Sequence, residues 1–381
     1  MSTPGPETGL RALLREDLRG ETAYGAPQLS VAAALNTNEN SYPVPEAVVA
    51  EMAAELAGLL PGLNRYPDRE FTGLREALAA YLSRSGTPVS AEQVWAGNGS
   101  NEVLLHLFQA FGGAGRRALG FTPSYSMHSI IAKTTGTQWV DGRRSAEPGR
   151  LFTLAPESVA QQIAAAQPQL VFICSPNNPT GTAVGLEVIE AAYVAAPDAV
   201  IVVDEAYAEF ARPATPAALT LLAGRNRLVV TRTMSKAFAL AGGRLGYLAA
   251  DPDLIDLLRL VRMPYHLSSP SQAIARAALR HADRMLATVG AIKDQRDRLV
   301  RELRRLGFEP VPSDANFVLF GGLADAAATW QALLERGVLV RDVGIPHYLR
   351  VTAGTPEETS AFLDALAELG PEHQLTRGET K

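Results

Sequence analysis

Lysine is rare in this chain, and one lysine stands where its chemistry differs from that of arginine. Lysine and arginine together number 35, of which four are lysine, so the chain almost always uses arginine where it needs a cation. Lys236 lies in the run TRTMSKAFALAGGRLGY, with Arg244 eight positions further on. A lysine that is partly removed from water beside another cation can lose its proton and attack a carbonyl, which arginine cannot do. Lys236 is therefore a candidate nucleophile toward an aldehyde or ketone, the alternative being an ordinary surface charge.

Other polar residues follow apolar runs in the same part of the chain. LVFICS leads into a proline-flanked loop that contains Asn178, AVIVV leads into Asp204 and Tyr207, and LVVTR leads into Thr233 and Ser235. The acid can act as a metal ligand, a helix cap or a partner for a protonated ring nitrogen, and the loop can simply be a rigid turn. Ligands of open α/β sheets bind at the carboxyl ends of the strands. We therefore expect these residues to form one site.

A phosphate group fits a further set of residues. The GNGS turn precedes an apolar pattern of helical spacing, so its backbone N–H groups would point out of a helix N-terminus. Hydroxyls and a guanidinium near glycine-rich backbone also suit a phosphate monoester. The predicted phosphate-binding residues are Gly99, Ser100, Asn101, Thr233, Ser235 and Arg244.

Together these groups require a ligand with an aldehyde, a basic ring nitrogen and a phosphate, which pyridoxal 5'-phosphate (PLP) combines. Lys236 would bond to the aldehyde, and Asp204 would keep the ring nitrogen protonated. Tyr207 and Asn178 would hydrogen-bond the ring hydroxyl. The order of the motifs and their common place at strand ends make PLP the predicted cofactor.

The elements that must position these residues can be read from the apolar pattern. Between residues 115 and 250, near-continuous apolar runs separated by stretches long enough for helices predict a largely parallel sheet covered by helices. From about Ala275 the pattern changes to long helical segments and then to short strands, which predicts an α+β subdomain. At 381 residues the chain is long enough for two subdomains. We predict an N-terminal arm over 1–35 that packs with the small domain, a large domain over 36–270 and a small domain over 271–381.

Two local predictions concern the first half of the chain. Asp68 precedes apolar residues at helical spacing from Phe71 to Leu82, so we expect a helix that is capped by Asp68 and ends near Gly86. The run QVWAGNGS predicts a strand that leads through a glycine turn into a second helix.

Composition excludes several functional classes. The net charge of −5 argues against a nucleic-acid surface. One cysteine, Cys174, cannot form an internal disulfide, so a cytoplasmic location is the default expectation. The N-terminal stretch has no apolar signal region and no segment approaches the apolar length of a membrane span. The histidines lack ligand spacing, so we expect no metal site.

The chain resembles a known family in motifs that extend over nearly its whole length. These are NTNENSYP, RYPD, GNGSNE, TPSYSMH, SPNNPTG, VDEAYAEF, TRTMSKAFALAGGRLGY, ANFVLF, VLVRDV and YLRVTAG. They look like the fold-type I, class-II PLP-dependent aminotransferases and, more narrowly, are similar to the histidinol-phosphate aminotransferase family. The resemblance implies an α/β fold, with a large domain built on a mainly parallel seven-stranded sheet and a smaller α+β domain.

The resemblance also implies roles for residues outside the cofactor motifs. Tyr125 would stack on the cofactor ring, and Tyr66 would reach the phosphate of the cofactor in the neighbouring subunit, so that a homodimer shares its active sites. Arg350 would grip an anionic group of the substrate with Arg341 nearby. The substrate pocket would be lined from the arm by Tyr24, Asn36 and Asn38.

The expected reaction is transamination between L-histidinol phosphate and 2-oxoglutarate, giving imidazole acetol phosphate and L-glutamate, with Lys236 as the proton carrier. The nearest alternative is an aromatic aminotransferase for phenylalanine or tyrosine, and a decarboxylase of an amino-acid phosphate is a third. Some proteins of this fold are transcription regulators with a DNA-binding domain ahead of the PLP domain. About 35 residues precede the first site motif, which we expect to be too few for such a domain.

Overall fold

The computed structural model describes residues 9–375, so residues 1–8 of the predicted arm and 376–381 of the predicted small domain lie outside it. The strands are β1 (Ala33–Ala34), β2 (Val94–Asn98), β3 (Arg117–Thr122), β4 (Gln138–Arg143), β5 (Leu170–Cys174), β6 (Val200–Asp204), β7 (Leu228–Thr233), β8 (Leu245–Ala249), β9 (Glu309–Pro310), β10 (Phe317–Gly321), β11 (Val338–Leu339) and β12 (Leu349–Thr352).

The helices are α1 (Glu46–Leu59), α2 (Thr72–Ser83), α3 (Ser100–Phe111), α4 (Ser126–Thr134), α5 (Pro156–Ala166), α6 (Leu186–Ala195), α7 (Pro252–Leu258), α8 (Ser269–Arg280), α9 (Ala282–Met285), α10 (Val289–Arg305), α11 (Ala326–Glu335) and α12 (Pro356–Ala367). Short 3-10 turns lie between several of them.

A seven-stranded sheet forms the centre of the larger part of the molecule. Its strand order is β2-β8-β7-β6-β5-β3-β4, and the pairings are parallel except for those of β8, which runs antiparallel to β2 and β7. Every residue of β5, β6, β7 and β8 is buried, which explains why these strands read as continuous apolar runs. The predicted α/β fold with a mainly parallel sheet is confirmed.

A smaller α+β unit follows. Its sheet has the order β12-β10-β9 and is antiparallel, and α10 and α12 pack with it around a second apolar cluster. The N-terminal strand β1 pairs in parallel with β11 of this unit. The arm therefore contacts the smaller unit along the backbone before the chain enters the larger one.

The predicted domain boundary after residue 270 falls inside α8. Buried residues of α8 and α9, as far as Met285, pack in the first apolar cluster, whereas Val289 packs in the second. The boundaries remain predictions, and we propose that the large domain extends to about Thr288.

The chain between residues 282 and 305 has the sequence pattern of one long helix but forms two. Met285 ends α9 and Val289 begins α10, and the two residues pack in different apolar clusters. Leu286 contacts both clusters. The helix is thus interrupted where the chain passes from one core to the other.

The predicted helix α2 forms, but its N-cap residue is Phe71, with a φ of 40°, whereas Asp68 bonds to the helix start from three residues earlier. The Oδ2 atom of Asp68 accepts a hydrogen bond from the N–H of Thr72 at 2.8 Å, and Oδ1 accepts one from Glu70 at 3.0 Å. Helix α2 ends at Ser83, and Gly86 follows with a positive φ of 88°. β2 leads through the glycine turn directly into α3.

Within residues 9–375, no helix has the length and apolar character needed to cross a bilayer. The same residues contain no group of three or more His, Cys, Asp or Glu side chains arranged to hold a metal ion.

Candidate active site

A cavity of about 490 Å³ lies at the carboxyl ends of β5, β6 and β7. Cys174, Asp204 and Thr233 are the last residues of these strands, and all three line it. The predicted site residues that line this cavity are Tyr24, Asn36, Asn38, Ser100, Asn101, Tyr125, Asn178, Asp204, Tyr207, Thr233, Ser235, Lys236, Arg244, Arg341 and Arg350. The structure therefore brings together residues from both ends of the chain and from the strand ends between them.

Lys236 lies just beyond β7, in the wall of the cavity formed by the sheet. Its Nζ donates a hydrogen bond to the carbonyl oxygen of Thr37 at 2.9 Å. Burial lowers the pKa of the amine to about 8, helped by the positive charges of Arg350 and Arg244 and opposed by Glu39. Roughly a tenth of the amine is then neutral at pH 7. Sequence reasoning assigned this effect to Arg244, but Arg350 contributes more.

Asp204 ends β6 and is buried at the floor of the cavity. Its Oδ1 accepts hydrogen bonds from Thr231 Oγ1 at 3.2 Å and from the N–H of Ala206 at 3.3 Å. Its Oδ2 lies 3.0 Å from Nε2 of His128, which is buried on α4. The carboxylate is thus fixed in orientation by the neighbouring strand β7, the turn after β6 and helix α4.

His128 was not among the predicted site residues. It follows Tyr125 by three positions, so the helical spacing places both on one face of α4, and their rings meet edge to face at 5.5 Å. That spacing in TPSYSMH is the signal that could have identified it. Nδ1 of His128 is buried without a hydrogen-bond partner among the described residues.

The end of the cavity predicted to hold a phosphate is formed by the N-terminus of α3 and the chain around β8. Gly99 has a φ of 81°, and a side chain there would collide with the guanidinium of Arg244. Gly246 of β8 lies so close to the N–H of Ser100 that any side chain would collide with it. Gly246 was not predicted, and both glycines are needed for backbone and guanidinium to approach this closely.

Thr233 and Ser235 complete this end of the cavity. Thr233 Oγ1 donates to the carbonyl oxygen of Leu245 at 3.3 Å and accepts from the N–H of Ser235 at 3.1 Å. Arg244 itself has a φ of 50°, the left-handed conformation that a non-glycine residue rarely adopts. Such strain persists only where the surroundings enforce it.

The opposite wall is built around Arg350, which is buried on β12. One terminal nitrogen donates to Asn178 Oδ1 at 2.5 Å and the other to the carbonyl oxygen of Asn36 at 2.7 Å, while Nε has no partner among the described residues. Burial lowers the pKa of Arg350 to about 10. Arg341 exchanges two 2.9 Å backbone hydrogen bonds with Arg350, and its guanidinium lies 6.0 Å from the ring centre of Tyr24.

Tyr207, Asn38 and Tyr125 are held by side-chain hydrogen bonds. The hydroxyl of Tyr207 accepts a bond from Asn38 Nδ2 at 3.0 Å, and the hydroxyl of Tyr125 donates to Asn101 Oδ1 at 3.1 Å. Asn38 has a φ of 55° and is fixed by bonds to Thr352. Burial raises the pKa of both tyrosines. Both phenols therefore stay protonated and able to donate.

Two predicted site residues do not line the cavity. Gly99 lies beneath Arg244, next to the lining residue Ser100. Tyr66 does not line the cavity; the residue is 80% exposed, and its ring stacks on Tyr265 at 4.5 Å between ring centres. Within one subunit, Tyr66 is thus a surface residue.

A comparison with protein families matches most of the chain. Residues 32–366 fit the family model described as aminotransferase class I and II. The matched range includes every predicted site residue except Tyr24.

Two curated bacterial relatives are more than half identical. The histidinol-phosphate aminotransferase of Paenarthrobacter aurescens is 56% identical over 361 residues, a range that covers 94% of this chain and 95% of the relative. The histidinol-phosphate aminotransferase of Frankia casuarinae is 58% identical over 357 residues, covering 93% and 89%.

Solved structures share the fold. The histidinol-phosphate aminotransferase from Sinorhizobium meliloti, in complex with pyridoxal-5'-phosphate, has a TM-score of 0.78 at 23% identity and covers 95% of both chains. The aspartate aminotransferase from Thermus thermophilus with maleate has a TM-score of 0.76 at 26% identity, covering 88% of this chain and 91% of its own.

Proposed function

The chain belongs to the class I and II aminotransferases, and on that premise we propose that it transfers the amino group of L-histidinol phosphate to 2-oxoglutarate. The products are imidazole acetol phosphate and L-glutamate, and the reaction is a step of histidine biosynthesis. One observation carries the proposal: a lysine amine of lowered pKa lies in one cavity with a buried carboxylate and three arginines. The names of relatives that are more than half identical support the choice of substrate.

The residues of the cavity fit PLP as the cofactor. The hydroxyls of Thr233 and Ser235, the Arg244 guanidinium and the N-terminus of α3 supply donors for the phosphate at one end. The buried carboxylate of Asp204 suits a protonated ring nitrogen, and Lys236 lies on the same wall for the aldehyde. When bound, PLP supplies the electron sink that stabilises the carbanion at Cα of the substrate.

The cofactor ring would be held by the aromatic and amide side chains. Tyr125, Tyr207 and Asn178 all line the cavity. In this proposal Tyr125 would stack on the ring, and Tyr207 and Asn178 would donate hydrogen bonds to its hydroxyl. Gly99, Ser100 and Asn101, at the start of α3, would surround the phosphate together with the residues named above. We expect no metal ion to take part.

Lys236 is the proton carrier in this proposal. Its amine removes the proton from Cα of the amino substrate and later delivers a proton to complete the transfer. The Thr37 carbonyl aims the amine, and burial keeps part of it neutral at pH 7. Asp204 holds its negative charge in place during the transfer, because its hydrogen bonds fix both carboxylate oxygens.

Arg350 and Arg341 would bind the anionic ends of both substrates. A guanidinium donates hydrogen bonds to carboxylate and phosphate oxygens alike, so one pocket can bind glutamate or 2-oxoglutarate and then the phosphate ester. Tyr24, Asn36 and Asn38 would close the pocket from the N-terminal side.

We propose that the enzyme is a homodimer in which Tyr66 reaches the cofactor phosphate of the partner. Tyr66 stacks on Tyr265, and the segment that leads to Tyr265 exposes apolar side chains, since Leu260 is 80% exposed and Met263 is 73% exposed. The predicted location is the cytoplasm, and neither nucleic acid nor a membrane is a predicted partner.

An assay of substrate preference tests the proposal. The purified protein with PLP and 2-oxoglutarate is given L-histidinol phosphate, phenylalanine or tyrosine, and glutamate formation is followed. We expect kcat/KM for histidinol phosphate to exceed that for either aromatic amino acid by at least about a hundredfold, the discrimination available when a site's buried charges are left unpaired. A higher value for phenylalanine would establish the aromatic aminotransferase instead. Release of CO2 from an added amino-acid phosphate, without formation of glutamate, would indicate the decarboxylase, since histidinol phosphate itself has no carboxyl group.

A further inference from the structure

Glu102 lies in the first turn of α3 and does not line the cavity, yet its side chain folds back onto the turn that precedes the helix. Its Oε2 accepts a hydrogen bond from the backbone N–H of Asn98 at 2.5 Å and another from Asn98 Nδ2 at 2.8 Å. We propose that Glu102 is a positioning residue that holds residues 97–100, the phosphate turn, in the shape that receives the phosphate of the cofactor. The proposal rests on the proposed function, since it takes PLP to be the ligand.

The glycines on either side of Asn98 fit this arrangement. The N–H of Gly99 donates to the carbonyl oxygen of Gly97 at 2.8 Å, which makes the turn tight. A Cβ atom at Gly97 would lie 3.1 Å from Glu102 Oε2, so the carboxylate packs against this glycine. Because one oxygen accepts both bonds from Asn98, the backbone and the side chain of that residue are fixed together.

A second contact anchors the turn to another part of the chain. Asn98 Nδ2 also donates to the carbonyl oxygen of His266 at 2.9 Å. The ring of His266 is itself fixed, since its Nε2 lies 2.9 Å from the carbonyl oxygen of Ala96 and the ring stacks on Trp95. Glu102 therefore completes a chain of contacts from the helix, through Asn98, to the segment that follows α7.

The charge of Glu102 and its hydrogen bonds act in opposite directions on a bound phosphate. A carboxylate near the site repels a phosphate dianion, whereas the two hydrogen bonds keep the N–H groups of the α3 N-terminus directed at it. The first-turn carboxylate is also favourable for the helix dipole. If positioning dominates, a neutral side chain that still offers one acceptor oxygen will preserve phosphate binding.

The test compares PLP with pyridoxal, which lacks the phosphate. Dissociation constants of both are measured by absorbance for the full-length cofactor-free protein and for the variants Glu102→Ala and Glu102→Gln. We expect Glu102→Ala to raise the dissociation constant of PLP about tenfold, which corresponds to the loss of one or two hydrogen bonds. The dissociation constant of pyridoxal should stay within about twofold of that for the unmodified protein. For Glu102→Gln, the dissociation constant of PLP should lie within about threefold of that for the unmodified protein.

Two further variants complete the design. Glu157→Ala removes an exposed carboxylate from the first turn of α5 that does not line the cavity, and it should change the dissociation constant of neither ligand. Asn98→Ala keeps the backbone hydrogen bond and loses the side-chain bonds, so a phosphate-specific loss of about threefold is expected even if Glu102→Ala does not fold.

The outcomes separate the positioning role from general support of the fold. The role of Glu102 is overturned if Glu102→Ala weakens the binding of PLP and pyridoxal equally, or does not weaken the binding of PLP. It is also overturned if Asn98→Ala leaves the preference for PLP over pyridoxal unchanged. If the unmodified protein binds pyridoxal as tightly as PLP, the phosphate site of the proposed function fails instead.

Discussion

The two walls of the cavity differ in how the chain builds them. The sheet wall takes Asp204, Thr233 and Lys236 from the ends of two adjacent strands, within one short part of the sequence. The opposite wall takes residues from both ends of the chain, such as Tyr24 and Arg350. The groups proposed for cofactor chemistry are thus encoded locally in the sequence, whereas the groups proposed for substrate choice depend on long-range packing.

Several hydrogen bonds join the two walls, among them those from Lys236 to Thr37 and from Asn38 to Tyr207. Arg350 on β12 donates to Asn178, which lies in the loop after β5. Arg350 also lowers the pKa of Lys236. The substrate wall can therefore influence the chemistry of the sheet wall, and changes to each wall test how far the division holds.

The largest effect is expected from Lys236→Ala on the sheet wall. Loss of the proton carrier should lower kcat by on the order of a thousandfold or more for histidinol phosphate and for glutamate alike, because both half-reactions use the same amine. Single-turnover absorbance measures each half-reaction. Lys133→Ala removes a lysine that pairs with Glu21 at the surface and is the control. Turnover near the unmodified rate in Lys236→Ala would contradict the mechanism.

Arg350→Lys is expected to have the next largest effect, and on the opposite wall. A single ammonium cannot reproduce the two-pronged contact with an anion, so kcat/KM should fall by about a hundredfold for both substrates. The dissociation constant of PLP, measured by dialysis, should change little. Arg301→Lys, at a 67% exposed side chain, is the control. A loss of cofactor binding equal to the loss of activity would show that Arg350 also supports the cofactor, so that the two walls do not act independently.

The pH dependence of cofactor capture tests the link between the walls. Because the pKa of Lys236 is lowered to about 8, the amine is mostly protonated below pH 8 and neutral above it. The rate at which the cofactor-free protein captures an aldehyde should rise about tenfold from pH 6 to pH 7 and level off above pH 8. Arg350→Met removes a neighbouring positive charge and should move this plateau to higher pH. Stopped-flow absorbance measures the rate. An identical pH profile in Arg350→Met would show that Arg350 does not lower the pKa of Lys236.

Gly246→Ala is expected to have the smallest effect. It tests how closely β8 and the N-terminus of α3 must approach at the phosphate end of the cavity. The added methyl group would collide with the N–H of Ser100, so α3 must shift. We expect the free energy of unfolding to fall by about 1–3 kcal/mol and PLP to bind more weakly. Gly242→Ala, in the same run, meets no atom within 4 Å and is the control. Equal stability of the two variants in denaturant titration would mean that the helix can move without cost.

Sequence reasoning predicted the sheet wall far better than the contacts across the cavity. The apolar runs of β5 to β8 identify strands because both faces of these strands are buried, and the motifs that follow them are continuous in sequence. The contact between Asn178 and Arg350 joins residues 172 positions apart, and no local pattern encodes it. For the same reason the sequence assigned the lowered pKa of Lys236 to Arg244, the cation that is near in the chain.

The missed residues have a similar explanation. His128 contacts Asp204 across the space between α4 and β6, and a single histidine on an amphipathic helix is as consistent with packing as with a role in the site. The break before α10 depends on the two cores that the chain connects, and helical periodicity alone carries no sign of it. Both features require knowledge of which elements become neighbours.

The hydrogen bond from Lys236 to Thr37 is made to a carbonyl oxygen of the main chain, so no exchange of side chain at position 37 removes it. What sets the position of that oxygen is the register of the preceding strand, in which Ala33 pairs with Val338 and Ala34 with Leu339. Deletion or insertion of one residue between β1 and Thr37 would displace the oxygen by the length of a residue. The length of this segment should therefore stay constant during evolution, whereas the side chain at position 37 can change without loss of the bond.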